Sequence, residues 1–124
     1  MLYAILCYNN EKTVFSWTKE QDDAVMGRLQ VVHDRLQAQG KLGPCARLEA
    51  TNTARTLMKG AQPPLIVDGP YAETKEALLG FYTVECETQE EAVAIAKDLE
   101  KANPGVGAYE VRPVRVFLPG KLGG

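Results

Sequence analysis

Three observations predict an α+β fold of the ferredoxin-like, split βαβ kind, with two helices on one face of an antiparallel sheet. Short apolar runs and two amphipathic stretches follow one another in the order strand, helix, strands, strand, helix, strand. Both amphipathic stretches open on capping-box sequences, Thr18-Lys19-Glu20-Gln21 and Thr88-Gln89-Glu90-Glu91, in which side chains satisfy the free backbone donors of a helix start. At 124 residues the chain can bury one sizeable core but hardly two. Residues 1–118 are therefore expected to form a single domain, with a loose tail over residues 119–124.

Leu2 to Tyr8, LYAILCY, is short, apolar and aromatic and runs into Asn9-Asn10, so it reads as the first strand. Alternation sends Tyr3, Ile5 and Cys7 to one face and Leu2, Ala4, Leu6 and Tyr8 to the other, and both faces are apolar. One layer of helices covers only one of them. A second copy packing its own sheet against the other face, about a two-fold axis, would bury it, and a homodimer is expected.

After a loop through Phe15 and Trp17, Thr18 opens a helix whose stripe is Val25, Leu29, Val32 and Leu36, and Gly40 closes it. Pro44 to Ala50 and Ala54 to Lys59 are candidate strands around Thr51-Asn52-Thr53. Leu65 to Val67 is a further apolar run behind Pro63-Pro64, so a hairpin or small meander is expected. Phe81 to Glu87 alternates, with Tyr82, Val84 and Cys86 on one face. Thr88 then opens a helix carrying Ala92, Ile95, Ala96 and Leu99, ended by Asn103-Pro104-Gly105. The last strand spans Ala108 to Leu118 and contains Arg112-Pro113; because proline donates nothing to a ladder, this implies an edge, a bulge or a break.

The net charge of −2 with scattered basic residues disfavours direct binding of DNA or RNA. Met1 leads into an apolar run too short to span a membrane, with neither a basic n-region nor a cleavage signal, and the chain reads as a cytoplasmic protein. Three separated cysteines without a CxxC pair suit reduced thiols, and a single histidine gives no zinc-ligand spacing. No cofactor and no Cys/His metal site is expected; an oxygen-ligand site built from carboxylates stays open.

The densest chemistry lies in Asp68 to Tyr82, DGPYAETKEALLGFY. Asp68-Gly69-Pro70 is a rigid turn with a carboxylate at its first corner. Glu73, Thr74, Lys75 and Glu76 then bring two carboxylates, a hydroxyl and an ammonium within reach of one another. In a pocket, Asp68 or Glu73 could serve as general base and Lys75 could hold an anionic ligand; on a surface the same residues are a solvated, charged turn. His33, the sole histidine, falls about 70° from the middle of the helix stripe, at the boundary of core and solvent, where packing is the commoner role. Tyr8 is expected to pack in the core, and Arg112 either faces the cleft or pairs with Glu110 or Asp68. Cys7 and Cys86 are expected on adjoining strands in apolar surroundings that keep them inert.

Val67-Asp68-Gly69-Pro70-Tyr71-Ala72-Glu73-Thr74-Lys75-Glu76, Gly80-Phe81-Tyr82 and Glu110-Val111-Arg112-Pro113 together resemble the DGPF proteins of the YCII-related family, with Tyr71 standing where the family name has Phe. The resemblance spans nearly the whole chain. It implies a ferredoxin-like domain assembled as a dimeric α+β barrel and marks Asp68, Glu73, Thr74, Lys75, Glu76 and Arg112 as ligand-binding candidates. YCII-like relatives resemble enzymes with a His-Asp pair in the cleft, whereas His33 lies further along its helix than that histidine would. Two functions follow. One is binding of a small molecule, catalysis included, in a sheet-helix cleft beside the DGPYAETKE segment. The other is a non-catalytic interaction or transcription-associated regulatory module in which that segment is a structural turn or a protein contact.

Overall fold

The computed structural model describes residues 1–123. Its elements run β1 (Leu2–Asn10), α1 (Glu11–Val14), α2 (Lys19–Ala38), β2 (Leu42–Arg47), β3 (Arg55–Met58), β4 (Leu65–Asp68), β5 (Glu76–Glu85), α3 (Gln89–Ala102) and β6 (Gly107–Pro113). Four strands form an antiparallel sheet in the order β2-β5-β1-β6, and β3 and β4 form a separate two-stranded ribbon. This is a ferredoxin-like α+β fold.

The helices begin where local chemistry places them. At the start of α2, the Gln21 amide N–H donates to Thr18 Oγ1 at 3.1 Å and Thr18 N–H donates to Gln21 Oε1 at 2.9 Å, the reciprocal capping box. Val25, Leu29, Val32 and Leu36 are its buried residues, and Gly40 follows with a φ of 68°, a left-handed conformation that glycine adopts without Cβ strain. In α3, Thr88 caps the Glu91 amide at 3.2 Å, but the Glu91 carboxylate is spent elsewhere. It accepts from Glu87 N–H at 3.0 Å and from Lys41 Nζ at 2.6 Å, tying the helix start to the turn before β2. Ala92, Ile95, Ala96, Leu99 and Ala102 turn inward.

Pairing register assigns the two faces of the sheet. Tyr3 lies opposite Val84, Ile5 opposite Tyr82 on β5 and Val111 on β6, and Cys7 opposite Tyr109. Tyr3, Ile5 and Val84 join the helix stripes in one core, with Ile5 wholly buried. The other face carries Leu2, Ala4, Leu6 and Phe81, flanked by Glu110 and Arg112 opposite Leu6 and Ala4.

Several boundaries differ from the sequence expectation, each with a reason. The strand expected from Phe81 begins at Glu76, because Ala77 and Leu79 are buried with Val14 of α1 in a second small cluster beneath Trp17. A bulge between Cys7 and Tyr8 in the β1–β5 register accommodates this earlier start. Glu11 to Val14 forms a single helical turn where a loop was expected, and Asn10 Oδ1 accepts from Thr13 N–H at 3.0 Å to cap it. β6 is an edge strand and ends at Pro113 instead of reaching Leu118: Val114 N–H still donates to the Leu2 carbonyl at 2.9 Å, but β1, its one neighbour, begins at Leu2 and offers no further partner. Cys7 and Cys86 lie at opposite ends of the sheet: Cys7 pairs with Gly80, whereas Cys86 follows β5 and donates its N–H to the Met1 carbonyl.

Candidate functional site

At the end of the sheet where β1 and β2 finish and β6 begins, the two long helices do not fill the space above the strands, and a cavity of about 320 Å³ remains. Val25, Met26, Leu29 and His33 of α2 form one wall, Cys7 and Tyr82 belong to the sheet, and Trp17 and Val14 close one end. Asn103 and the glycine-rich turn of Gly105 and Gly107 line the opposite side, near Tyr109. The walls are largely apolar with a few convergent polar groups, the usual composition of a small-molecule site.

The polar focus is a pair of side chains from distant parts of the chain. His33 Nε2 lies 3.0 Å from the Tyr82 hydroxyl, with ring centroids 5.2 Å apart and the planes tilted by 54°. His33 sits at the boundary that its position on the helix predicts, half-buried, and Tyr82 occupies the inward face that the alternation in β5 predicts. Burial lowers the His33 pKa from its usual 6.5, only partly offset by Asp34. Burial, with smaller contributions from Cys7, Tyr109 and Cys45, drives the Tyr82 pKa far above that of a free phenol. Both groups are therefore neutral at pH 7.

The other titratable groups in the interior are also held uncharged. Burial, reinforced by Cys45, pushes the Cys7 thiol up to about 12, and burial likewise raises Tyr109. Arg47 reaches the rim from the end of β2, where its Nη2 donates to Asp22 Oδ1 of α2 at 2.7 Å. That guanidinium holds the Asp22 carboxyl below its ordinary range. Glu100 lines the rim from α3 and is exposed.

The residues singled out by the DGPYAETKE segment lie elsewhere. The segment joins β4 to β5, and none of Asp68, Glu73, Thr74, Lys75, Glu76 or Arg112 lines the cavity. The Asp68 side chain is 93% exposed and stands 3.4 Å from Arg55 Nε across the β3–β4 ribbon. The turn itself is pinned: Gly69 N–H donates to the Ala54 carbonyl at 2.8 Å and Thr56 Oγ1 donates to the Gly69 carbonyl at 2.8 Å. Glu73 and Lys75 are exposed, and Thr74 Oγ1 donates to the Glu76 backbone carbonyl. Arg112 pairs with Glu110 on the sheet face away from the helices. The segment is thus an anchored surface turn, and its charged residues do not converge with Arg112.

The cavity pair was readable only in halves. A tyrosine on an inward strand face needs a hydrogen-bond partner, and a boundary histidine can supply one, but the two stand 49 positions apart in the chain. Among the described residues, no group of three or more His, Cys, Asp and Glu side chains converges to hold a metal ion, and no helix is long and apolar enough to cross a membrane.

Comparison with known proteins places the chain in a family. A family model described as the YCII-related domain matches residues 1–118. The chain is 50% identical over 122 residues to an uncharacterized protein of Rhizobium meliloti (strain 1021), an alignment covering 98% of each chain.

Proposed function

The chain belongs to the YCII-related family, and on that footing we propose that it binds a small molecule in the cavity between sheet and helices, with His33 and Tyr82 as its polar anchor. The observation that carries this reading is the meeting of a neutral imidazole and a half-buried phenol, 3.0 Å apart, in a largely apolar cavity of about 320 Å³. A thermal-shift screen of small metabolites tests it, because a ligand that binds only the native state raises Tm. Hits should lose their shift in His33→Gln and Tyr82→Phe and keep it in Asp68→Asn and Lys75→Ala. The opposite pattern would move the site to the DGPYAETKE segment.

A second reading is favoured by a different observation. Leu57, Leu65, Ile66, Val67 and Tyr71 are all exposed on the β3–β4 ribbon and the turn after it, Tyr71 by 81%. Exposed apolar side chains grouped on one projecting element suit a protein contact, as in an interaction or regulatory module. Under this reading, Tyr71→Ser with Ile66→Ser abolishes capture of a protein partner while leaving every small-molecule shift in place.

Assembly is a separate proposal. The sheet face carrying Leu2, Ala4, Leu6 and Phe81 suits packing against its counterpart in a second copy, which makes a homodimer. Sedimentation at micromolar concentration should give twice 13.6 kDa, and a species of 13.6 kDa refutes it.

A further inference from the structure

Given the cavity as the binding site, we infer that its ligand is an electrically neutral, mostly apolar molecule bearing a hydroxyl or carbonyl group that docks on the His33–Tyr82 pair. Val14, Val25, Met26, Leu29 and Leu79 contribute hydrocarbon and Trp17 a flat ring, so the bulk of any occupant exchanges water for apolar surface. The volume lies near the bottom of the roughly 300–1,000 Å³ range of small-molecule sites, so the occupant is compact.

The charge inventory is what excludes ions. Of the residues lining the cavity, only Arg47 and Glu100 carry a formal charge at pH 7. Arg47 already donates to the Asp22 carboxylate through both terminal nitrogens, at 2.7 and 3.5 Å, so a ligand carboxylate would have to displace an ion pair to reach it. Glu100 is exposed and its charge is solvated, which leaves a ligand cation in the interior without a counter-ion. The polar side chains facing the interior, His33, Tyr82, Tyr109 and Cys7, are neutral because burial disfavours their charged forms. An ion moved from water into such surroundings loses hydration and gains no opposite charge.

The same pair explains why a hydroxyl or a carbonyl is the accepted group. When the Tyr82 hydroxyl donates to His33 Nε2, the phenol oxygen is left to accept from a ligand hydroxyl. When the other tautomer has His33 Nε2–H donating to the phenol oxygen, the Tyr82 hydrogen turns to donate to a ligand carbonyl. Neutral imidazole and phenol can exchange these roles by rotation and tautomer change alone, at no cost in net charge. The anchor is thus matched to either oxygen function.

Because His33 is the sole histidine, its imidazole signals report on the cavity without ambiguity. The full chain is titrated at pH 7.5 with four probes of similar size: 4-methylphenol, acetophenone, benzoate and benzylammonium, with imidazole NMR as the readout. 4-Methylphenol and acetophenone should shift the His33 signals with a Kd at least tenfold below those of both ions. Tyr82→Phe, which keeps the ring and the shape, should weaken both neutral probes at least fivefold, and His33→Gln, followed through the ring signals of Trp17, provides a second variant. If benzoate or benzylammonium binds at His33 as tightly as the neutral probes, the neutral-ligand inference is wrong while the cavity remains a binding site. If the neutral probes bind but Tyr82→Phe leaves both affinities unchanged, the anchoring role is wrong. If no probe moves the His33 signals and no compound in the thermal-shift screen depends on His33 or Tyr82, the cavity reading falls and this inference falls with it.

Discussion

Gly80 offers the sharpest test of how the sheet supports the cavity. It lies opposite Cys7 on β1 and Arg47 on β2, beside the bulge, and it lines the cavity. A Cβ built at Gly80 would stand 2.6 Å from the Ala46 carbonyl oxygen and 3.4 Å from Arg47 Cα, both of them backbone atoms that no rotamer change can move. Gly80→Ala must therefore push β2 away from β5 locally by roughly 0.4–0.8 Å to restore an ordinary contact, an overpacking change that typically costs about 1–3 kcal/mol. The strain falls on the end of the ladder that includes the Leu48 N–H bond to the Leu79 carbonyl at 2.9 Å, and the loss of one such bond contributes about 1 kcal/mol of that total. For a 124-residue domain, where 1 kcal/mol corresponds to roughly 3–5 °C, a cost of about 2 kcal/mol lowers Tm by about 6–10 °C. Gly27 is the control. It lies on the exposed side of α2 with nothing within 4 Å of its would-be Cβ, so Gly27→Ala gains helix propensity and stabilises by about 0.8–1 kcal/mol. Calorimetry on the two variants under the same conditions should give shifts of opposite sign. A Gly80→Ala protein that melts with the wild type would mean that β2 and β5 are not held at this distance, and the cavity wall built from them would have to be redrawn.

Three further outcomes follow from the same structure. The folded-state pKa of His33 is below the ordinary 6.5, so in the window between those two values the unfolded chain binds more protons. Stability from this group is complete above about pH 6.5 and is lost as pH falls through the folded value, and His33→Gln should flatten the Tm-versus-pH curve in that window. Cys45 is exposed whereas Cys86 is buried and Cys7 is held up to about 12, so iodoacetamide at pH 8 should label Cys45 first in the native protein. Equal labelling of Cys7 by peptide mass spectrometry would contradict its burial. Thr18→Ala removes the side-chain acceptor of the α2 capping box and should cost about 1 kcal/mol in urea unfolding with an unchanged m-value.

Much of the fold was legible because its signals are local. The capping box at Thr18 and the stripe of Val25, Leu29, Val32 and Leu36 depend on residues three or four apart, and the structure keeps both. The inward face of β5 could be read from the alternation of Tyr82 and Val84, continued by Cys86 just past the strand. Where the start of that strand was misplaced, the deciding contacts were non-local: Ala77 and Leu79 become strand residues because α1 and Trp17 cover them, and nothing adjacent in sequence announces that. For β6 the sequence left an edge, a bulge or a break open at Pro113 and ran the strand on to Leu118; the structure gives an edge strand that stops at Pro113, where β1 has run out.

The density of chemistry in DGPYAETKE was a property of sequence proximity. Charges close together along a chain need only a turn to hold them, and the structure provides one, fastened through Gly69 and Thr56 and exposed to solvent. The two long helices, their inward faces and the turn chemistry at Asp68 could be read from the spacing of neighbouring residues, whereas which of the two apolar faces of β1 the helices cover could not. Long-range packing alone lays α2 across β5 so that His33 meets Tyr82, 49 positions further along the chain, and leaves a space beside them. A cavity is what remains after long-range packing is complete, and no short stretch of residues carries its shape.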